Sequence, residues 1–417
     1  MKYYRFPENR ITKIGIGLFL FVMLYLARDT LFTTSVLGFA KSQFLMLGII
    51  CLAGAVFLVY NRRNWKQIAM DQRMLVILIS TALLLVPMVL KRDWQMMYFS
   101  ILICLYFAVF LSYFADYQEI AKYYVILMTA LGLYSVLAAY ILRIPVDREL
   151  LSVPTFVNAK DFLFHNFGLS FVSDSYVRER NFGLFREPGV YQYFLMLALF
   201  LNTYTVQWKK ERTMWLINAA LAAVMLTTLA TGGIIELALF AVVVFFDKKL
   251  YRSKTAWLAV GGVAVALAIL IAVIVIQKGT VYYTLRWTIT TKLTGQTASS
   301  QDRINAIAAD IILFLKNPVL GSTISSVLHA VEHNTSSTLI LYAILGVLGG
   351  SFNVLAWAAL VWEKERKLWA NLAILIILFM SFNTQNLVAD MFFWLLPMMA
   401  LTQRGLPLLA AAKTRRN

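Results

Sequence analysis

The stretch RERNFGLFREPGVYQYFLMLALFLN, residues 178–202, passes from a charged segment into an apolar one. Residues 178–187 carry three arginines and two glutamates, and an apolar run follows Pro188 and Gly189. The whole chain of 417 residues is 60% apolar and 14% charged, with a mean hydropathy of +0.72. A soluble globular protein has about 25% charged residues. The composition therefore predicts an all-α polytopic membrane protein, with charged segments at the ends of its apolar helices.

Apolar windows long enough to cross a bilayer recur along the whole chain. A helix that spans about 30 Å of hydrocarbon needs roughly 20 predominantly apolar residues. We predict twelve spans in a single transmembrane domain, 1–417; eleven or thirteen remain open, because one window is short and the last two nearly touch. The windows are 14–34, 44–60, 74–90, 96–115, 121–142, 189–207, 213–230, 233–247, 256–276, 337–362, 368–386 and 388–403.

Lysine and arginine are concentrated in alternate connections between these windows, which indicates an orientation. Cytoplasmic loops carry an excess of both residues. If both termini are cytoplasmic, the inner segments hold 23 of the 38 basic residues and the short outer loops hold only four. The remaining 11 lie in two long segments, 143–188 and 277–336, which we expect on the outer face.

The net charge of +17 follows from this topology. Anionic lipid headgroups are sufficient partners for such a chain, and no nucleic-acid partner is predicted. The two cysteines, Cys51 and Cys104, lie inside predicted spans and offer neither a metal cluster nor a disulfide framework. We therefore expect no metal and no cofactor.

The second long segment contains the pattern of an amphipathic helix at the outer interface. Ser299 and Asp302 are spaced as a capping pair at its start, and Pro318 and Gly321 end the pattern. One face of this helix is apolar and another carries polar residues at intervals of seven. The apolar face is Ile304, Ile307, Ala308, Ile311 and Leu315, and the polar residues are Arg303, Asp310 and Asn317.

Several short motifs between Arg178 and Gly350 resemble a known family when taken in order. They are RNFGLFREPG before a span, an arginine opening RINAIAADIILFLKNPVLG, the pair His333 and Asn334, and GVLGG in the next span. Together they resemble the O-antigen polymerase and O-antigen ligase superfamily of the bacterial plasma membrane. The resemblance implies metal-independent glycosyl transfer from polyprenyl-diphosphate-linked oligosaccharides at the outer face of that membrane.

The chemistry of such a donor predicts arginines at the outer mouth of the helices. A lipid-linked sugar leaves as a polyprenyl diphosphate, and arginine donates bidentately to phosphate and stays charged. Arg180 and Arg303 are the candidates on which the motifs and this chemistry agree. Arg178 and Arg186 are further substrate-binding candidates, although a loop arginine is more often an interface anchor.

The acceptor sugar hydroxyl must lose a proton as it attacks the anomeric carbon, which predicts a general base. Histidine titrates near neutral pH, so His333 is the first candidate and Asn334 is expected to contact substrate. His329, about one helical turn earlier, is the reserve. Glu187 is expected to orient an arginine or a sugar hydroxyl, or else to form an exposed ion pair of little energetic value.

A further candidate lies at the start of the window 233–247. Glu236 is an ionisable group a few residues inside a predicted span, where a functional role is the default hypothesis. A snorkelling or helix-capping role is equally open. The preceding Thr231, Gly232 and Gly233 either present backbone amides to a phosphate or form a tight hairpin turn.

Three functions remain in competition. The resemblance favours a polymerase that transfers a growing lipid-linked chain to another lipid-linked repeat unit, building O-antigen, capsule or exopolysaccharide. A ligase, which transfers finished glycan to a surface acceptor, is the first alternative, although ligases place a glycine sooner after the His-polar pair than Gly346. A flippase or transporter is the second, although no internal repeat is evident. The resemblance also implies a flippase and a chain-length regulator as partners.

Overall fold

The computed structural model describes residues 10–60, 72–113, 115–158, 161–174, 180–254, 257–258, 276, 298–331 and 334–405. The protein is mostly helical within them, as the composition predicts. Its α-helices are α1 (Arg10–Tyr25), α2 (Phe39–Tyr60), α3 (Gln72–Leu90), α4 (Met96–Leu111), α5 (Tyr117–Leu137), α6 (Arg143–Asp147), α7 (Pro188–Tyr204), α8 (Glu211–Thr227), α9 (Thr231–Asp247), α10 (Ala298–Lys316), α11 (Ile324–Ala330), α12 (Thr338–Val361), α13 (Leu368–Phe382) and α14 (Met391–Ala400).

Among the described residues, three helical stretches are long and apolar enough to cross a membrane. They are Arg73–Leu90, Tyr117–Asp147, which joins α5 to α6, and Thr338–Val361. Shorter apolar helices accompany them, including Met96–Leu111 and Leu368–Phe382. Apolar helices of this kind are typical of a membrane protein. The predicted window 256–276 lies almost wholly outside the described residues.

Large apolar side chains point outward from many of these helices. Leu18, Leu52, Leu78 and Ile376 are each more than half exposed, while Trp357 and many other aromatic side chains are fully buried. A soluble protein rarely leaves so much contiguous apolar surface in water. The helices therefore present a surface that suits lipid on the outside and pack aromatic rings on the inside.

The first helix is shorter than the window 14–34 predicts. It ends at Tyr25, and a turn follows before a short π-helical segment at Phe32–Leu37. The Thr30 hydroxyl donates to the Tyr25 carbonyl at 3.0 Å, and the Thr33 hydroxyl donates to the Ala27 carbonyl at 2.9 Å. Side-chain bonds to nearby backbone compete with the helical ladder, so they stabilise this turn. The number of apolar residues in the window did not predict this turn.

The first long segment contains a small antiparallel sheet, which the all-α expectation did not include. Its strands are β1 (Thr155–Val157), β2 (Leu163–Asn166) and β3 (Phe171–Ser173), in the order β1-β2-β3. Phe164 and Phe171 are buried, and each ring lies within 6 Å of the Phe156 ring. Strands of three or four residues are too short for an alternating pattern to be recognised in sequence.

The amphipathic helix of the second long segment is α10. It includes Ala298, so Ser299 lies inside the helix and is not its N-cap, and Gly321 follows its end with φ +73°. Its apolar side is exposed, with Ile304 at 55% and Leu315 at 66%, whereas the Asp310 carboxylate is buried. The helix thus turns its polar side toward the protein and its apolar side outward, which is the orientation expected beside lipid.

The connections between helices contact one another in two separate groups. One group, the first face, includes the contacts of Arg186 with Asp29 and of Lys91 with Ser322. The other group, the second face, includes the bond from Gln403 to the Ser112 carbonyl. The first face comprises the described residues of segments 26–38, 91–95, 180–187, 228–230, 317–337 and 383–390. The second face comprises the described residues of segments 112–117, 204–210, 247–252, 362–367 and 401–405.

Helix α12 has a kink at Gly346, where φ is 66° and ψ is −166°. The segment after α10 fits against this kink, because the Val347 amide donates to the Pro318 carbonyl at 2.7 Å. The Lys91 ammonium donates to the Ile344 carbonyl at 2.6 Å and to the Ser322 carbonyl at 2.9 Å. Burial lowers the pKa of Lys91 to about 8, with a nearby carboxylate opposing the shift. These contacts fix α10 and α12 relative to each other.

Candidate functional site

Two helices begin side by side on the first face. Helix α7 starts at Pro188, in the first helical position as the sequence predicts, and α9 starts at Thr231. Gln192, one turn into α7, packs against Gly232, where an added Cβ would lie 3.2 Å from the Gln192 Nε2. Neither helix receives a side-chain cap from its own N-cap residue, Glu187 or Ala230. The adjacent first turns therefore present backbone amides and the positive ends of two helix dipoles.

Arg303 faces these helix starts from α10. Its partly buried guanidinium interacts electrostatically with the carboxylates of Glu187 and Glu236. Within the described part of the chain it makes no hydrogen bond and no ion pair as close as 4 Å. Burial lowers the pKa of Arg303, and the two carboxylates oppose that shift, so the group stays charged. Its N–H donors are therefore not used by the described residues.

Arg180 approaches the same helix start from the first long segment. Its Nε donates to the Thr228 carbonyl at 3.1 Å, three residues before α9 begins. The neighbouring Asn181 is buried and donates to Ser135 at 2.8 Å and to Thr227 at 3.0 Å, which anchors the backbone at this point. The structure thus brings Arg180 and Arg303, separated by more than 100 residues in sequence, to the start of one helix.

Arg186 is paired with an aspartate of a distant segment. Its Nε donates to the Asp29 carboxylate at 2.7 Å, and its backbone amide donates to the Asp29 carbonyl at 2.9 Å. The Asp29 carboxylate raises the pKa of Arg186, and Glu187 lies 4.0 Å from its guanidinium. Arg186 therefore ties the segment before α7 to the turn after α1, and its contact with substrate remains a prediction.

Asn334 is also held by protein groups. Its Nδ2 donates to the Asp310 carboxylate at 2.7 Å, its Oδ1 accepts from the Ser336 amide at 3.0 Å, and the Ser336 hydroxyl donates to Asp310. Burial raises the pKa of Asp310 to about 6, and the bonds from Ser336 and Asn334 partly offset that shift. Asn334 thus orients the segment before α12, and its contact with substrate remains a prediction.

The histidine candidates are not part of this geometry. His329 is exposed at the end of α11, and its Nδ1 lies 2.6 Å from the Ser325 carbonyl of the same helix. The structure does not bring it to the two arginines. His333 and Arg178 lie outside the described residues, so their predicted roles remain predictions.

Two polar residues of the site were missed by sequence analysis. Gln192 and Ser381 are 2% and 0% exposed, and both lie beside the Glu236 carboxylate, which is 1% exposed. Each sits in an otherwise apolar window, one turn or less from the end of its helix. An isolated polar residue at that depth is the signal that would have indicated them.

The arrangement can bind an anion at the mouth of the helices. Two arginines and two helix N-termini supply positive potential, and Arg303 makes no hydrogen bond to the described residues; arginines and helix N-termini are recurrent ways in which proteins bind phosphate. The carboxylates of Glu187 and Glu236 lie near Arg303 and offset part of its positive potential. Comparison of the chain with protein-family models, curated proteins and solved structures gives no match.

Proposed function

We propose that this protein is a bacterial plasma-membrane glycosyltransferase that polymerises polyprenyl-diphosphate-linked oligosaccharide repeat units into a surface polysaccharide. It has about twelve transmembrane helices with both termini in the cytoplasm, and its first face is the outer face. The polysaccharide is O-antigen, capsule or exopolysaccharide. The proposal rests on the family resemblance of the motifs between Arg178 and Gly350 and on the anion site.

The single observation that supports it best is the position of Arg303. Its guanidinium makes no hydrogen bond to the described residues and interacts with carboxylates at two helix starts, while Ile304 and Ile311 on the same helix are exposed on the apolar side. An anion site next to a lipid-facing surface suits an amphiphile with an anionic head. A polyprenyl diphosphate has that form, because its diphosphate can lie against the arginines while its tail stays in the bilayer.

The proposed reaction displaces this diphosphate from the donor sugar. The oxygen of an acceptor sugar hydroxyl attacks the anomeric carbon, and the bond from that carbon to the phosphate oxygen breaks. The electron pair leaves with the polyprenyl diphosphate, whose charge Arg303 and Arg180 stabilise. The hydroxyl proton passes to a general base, for which His333 remains the proposed residue.

Deletion of the gene and complementation in the host test the proposal. The complementing forms are wild type, Arg180→Ala, Arg303→Ala and, as a matched control, Arg212→Ala, because Arg212 is exposed on α8 near the second face. Surface glycan and lipid-linked intermediates are resolved by gel and mass spectrometry at matched protein levels. We expect both site variants to lose long chains and the control to retain them.

The deletion phenotype identifies the reaction. A single repeat unit attached to the surface acceptor supports a polymerase, whereas long chains left on the lipid carrier would indicate a ligase. Repeat units stranded on the inner leaflet would indicate a flippase. Normal polymerisation by both Arg180→Ala and Arg303→Ala would overturn the assignment of the anion site.

A further inference from the structure

Below the two helix starts lies a small group of buried polar side chains, here called the polar floor: Gln192, Glu236 and Ser381. They come from α7, α9 and α13 and are 2%, 1% and 0% exposed. The Glu236 Oε2, the Gln192 Nε2 and the Ser381 Oγ make no hydrogen bond of full geometry within the described part of the chain, although Gln192 and Ser381 lie close enough to Glu236 to donate weakly to its carboxylate. Three such atoms next to one another are unusual, since most buried polar atoms are paired.

The polar floor is directly continuous with the anion site. An added Cβ on Gly232 would lie 3.2 Å from the Gln192 amide nitrogen and 3.7 Å from the Glu236 Oε1, so both side chains lie against the first turn of α9. Arg303 interacts electrostatically with Glu236 from the other side. When the anionic group of a ligand is held at the start of α9 and by Arg303, the adjacent uncharged groups of that ligand therefore lie next to the polar floor.

The donors and acceptors of the polar floor define which ligand groups can bind there. A carboxylate oxygen only accepts hydrogen bonds, an amide nitrogen only donates, and a hydroxyl does both. A bare phosphate oxygen against the ionised form of Glu236 would place two anions together, which is unfavourable. A sugar hydroxyl or an acetamido N–H satisfies Glu236, and the sugar oxygens can accept from Gln192 and Ser381.

We propose that Glu236 accepts a hydrogen bond from the sugar attached to the diphosphate, so that the site binds a glycosyl diphosphate more tightly than the bare polyprenyl diphosphate. This inference rests on the proposed function and deepens it. Glu236 is then a specificity-determining residue that discriminates the donor from the leaving group. Because the leaving group lacks the sugar, it is bound more weakly beside the carboxylate and is released after transfer.

Equilibrium binding to the purified full chain in lipid nanodiscs tests the inference. The two probes are the lipid-linked repeat unit extracted from the deletion host and undecaprenyl diphosphate without sugar. A hydrogen bond to a charged group predicts that wild type prefers the sugar-bearing lipid by about 10-fold or more. In Glu236→Gln we expect the preference to fall below about 3-fold, partly because the bare diphosphate binds more tightly.

Two further variants make the test specific. Glu365→Gln is the matched control, because it makes the same chemical change at an exposed site on the second face and should keep the wild-type preference. Ser381→Ala removes one group of the polar floor without changing charge and should lower the preference by a few fold. If Glu236→Gln lowers the unfolding midpoint, the Ser381→Ala variant still tests the role of the polar floor.

Different binding results would contradict the proposed function and the role of the polar floor. Wild type that binds neither lipid would overturn the diphosphate site and, with it, the proposed function. Wild type that binds both lipids equally would overturn the role of the polar floor while leaving the diphosphate site intact. An unchanged preference in both Glu236→Gln and Ser381→Ala would also overturn that role.

Discussion

The two faces of the molecule use arginine in opposite ways. On the first face, Arg303 is partly buried and makes no hydrogen bond or close ion pair with the described residues. On the second face, Arg366 and Arg404 line a cleft of about 980 Å³ and are bonded to neighbouring segments. The difference indicates that an arginine with unused donors belongs to a ligand site, whereas an arginine with paired donors belongs to the framework.

The second face illustrates the framework role in detail. Arg366 donates to the Val361 carbonyl at 2.9 Å and to the Asn371 Oδ1 at 3.1 Å, and its guanidinium lies 4.2 Å from the centre of the Tyr204 ring. The Asp247 carboxylate is 4.0 Å away. These contacts join α7, α9, α12 and α13. The cleft is large, but its two arginines are already bonded to protein groups, so we place the anion site on the first face.

The largest expected effect is on activity at the first face. Arg303→Ala should lower turnover of the lipid-linked repeat unit by about 100-fold or more, because it removes a charge that stabilises the leaving diphosphate. The unfolding midpoint should stay within about 2 °C of wild type, since the side chain makes no hydrogen bond to the residues that the structure describes. Turnover by purified protein and thermal unfolding measure the two quantities. A large loss of stability with normal turnover would instead show that Arg303 belongs to the framework and not to a ligand site.

On the second face, Arg366→Ala should lower stability and leave turnover nearly unchanged. The substitution leaves the Asn371 amide oxygen and the Asp247 carboxylate without their cation, at a cost of about 3 kcal/mol in the free energy of unfolding. Turnover per folded molecule should change by less than about 2-fold. Denaturant unfolding in detergent measures the cost, and Lys367→Ala, at an exposed neighbour, is the control. A stable but inactive Arg366→Ala protein would move the site to the second face.

Asp310 should make stability at the first face dependent on pH. Its pKa is raised to about 6, above the usual carboxyl value, so the folded state holds this proton more tightly than the unfolded state. The contribution to stability is therefore complete below about pH 4 and lost as pH rises through about 6, by up to about 3 kcal/mol. Unfolding measured from pH 4 to pH 7 should show this slope in wild type and lack it in Asp310→Asn.

The smallest effect is expected at the rim of the cleft. Glu363 is paired with Arg404 at 2.8 Å, but its side chain is 47% exposed. Exposed ion pairs contribute about 0 to 1 kcal/mol, so Glu363→Gln should lower the free energy of unfolding by less than 1 kcal/mol. A loss larger than that of Arg366→Ala would show that the pairing at the rim, and not the buried arginine, holds the second face together.

Local sequence patterns predicted much of the framework. Apolar composition indicated a helical membrane protein, Pro188 indicated the start of α7, and Pro318 with Gly321 indicated the end of α10. The interval of seven residues placed Arg303 and Asp310 on one side of α10, and both face the protein. These features depend on residues within about two helical turns of one another, so the sequence carries them directly.

The residues at the two ends of a helix, however, do not reveal which distant segments contact them. Asp29 pairs with Arg186 across 157 residues, and Gln192, Glu236 and Ser381 converge from three separate helices. No local pattern records such contacts, because they form only when the helices pack. The sequence by itself determined which segments are apolar helices and which arginines are candidates. The tertiary structure alone decided that Arg186 is paired and Arg303 is not, since that depends on which distant carboxylate lies within reach.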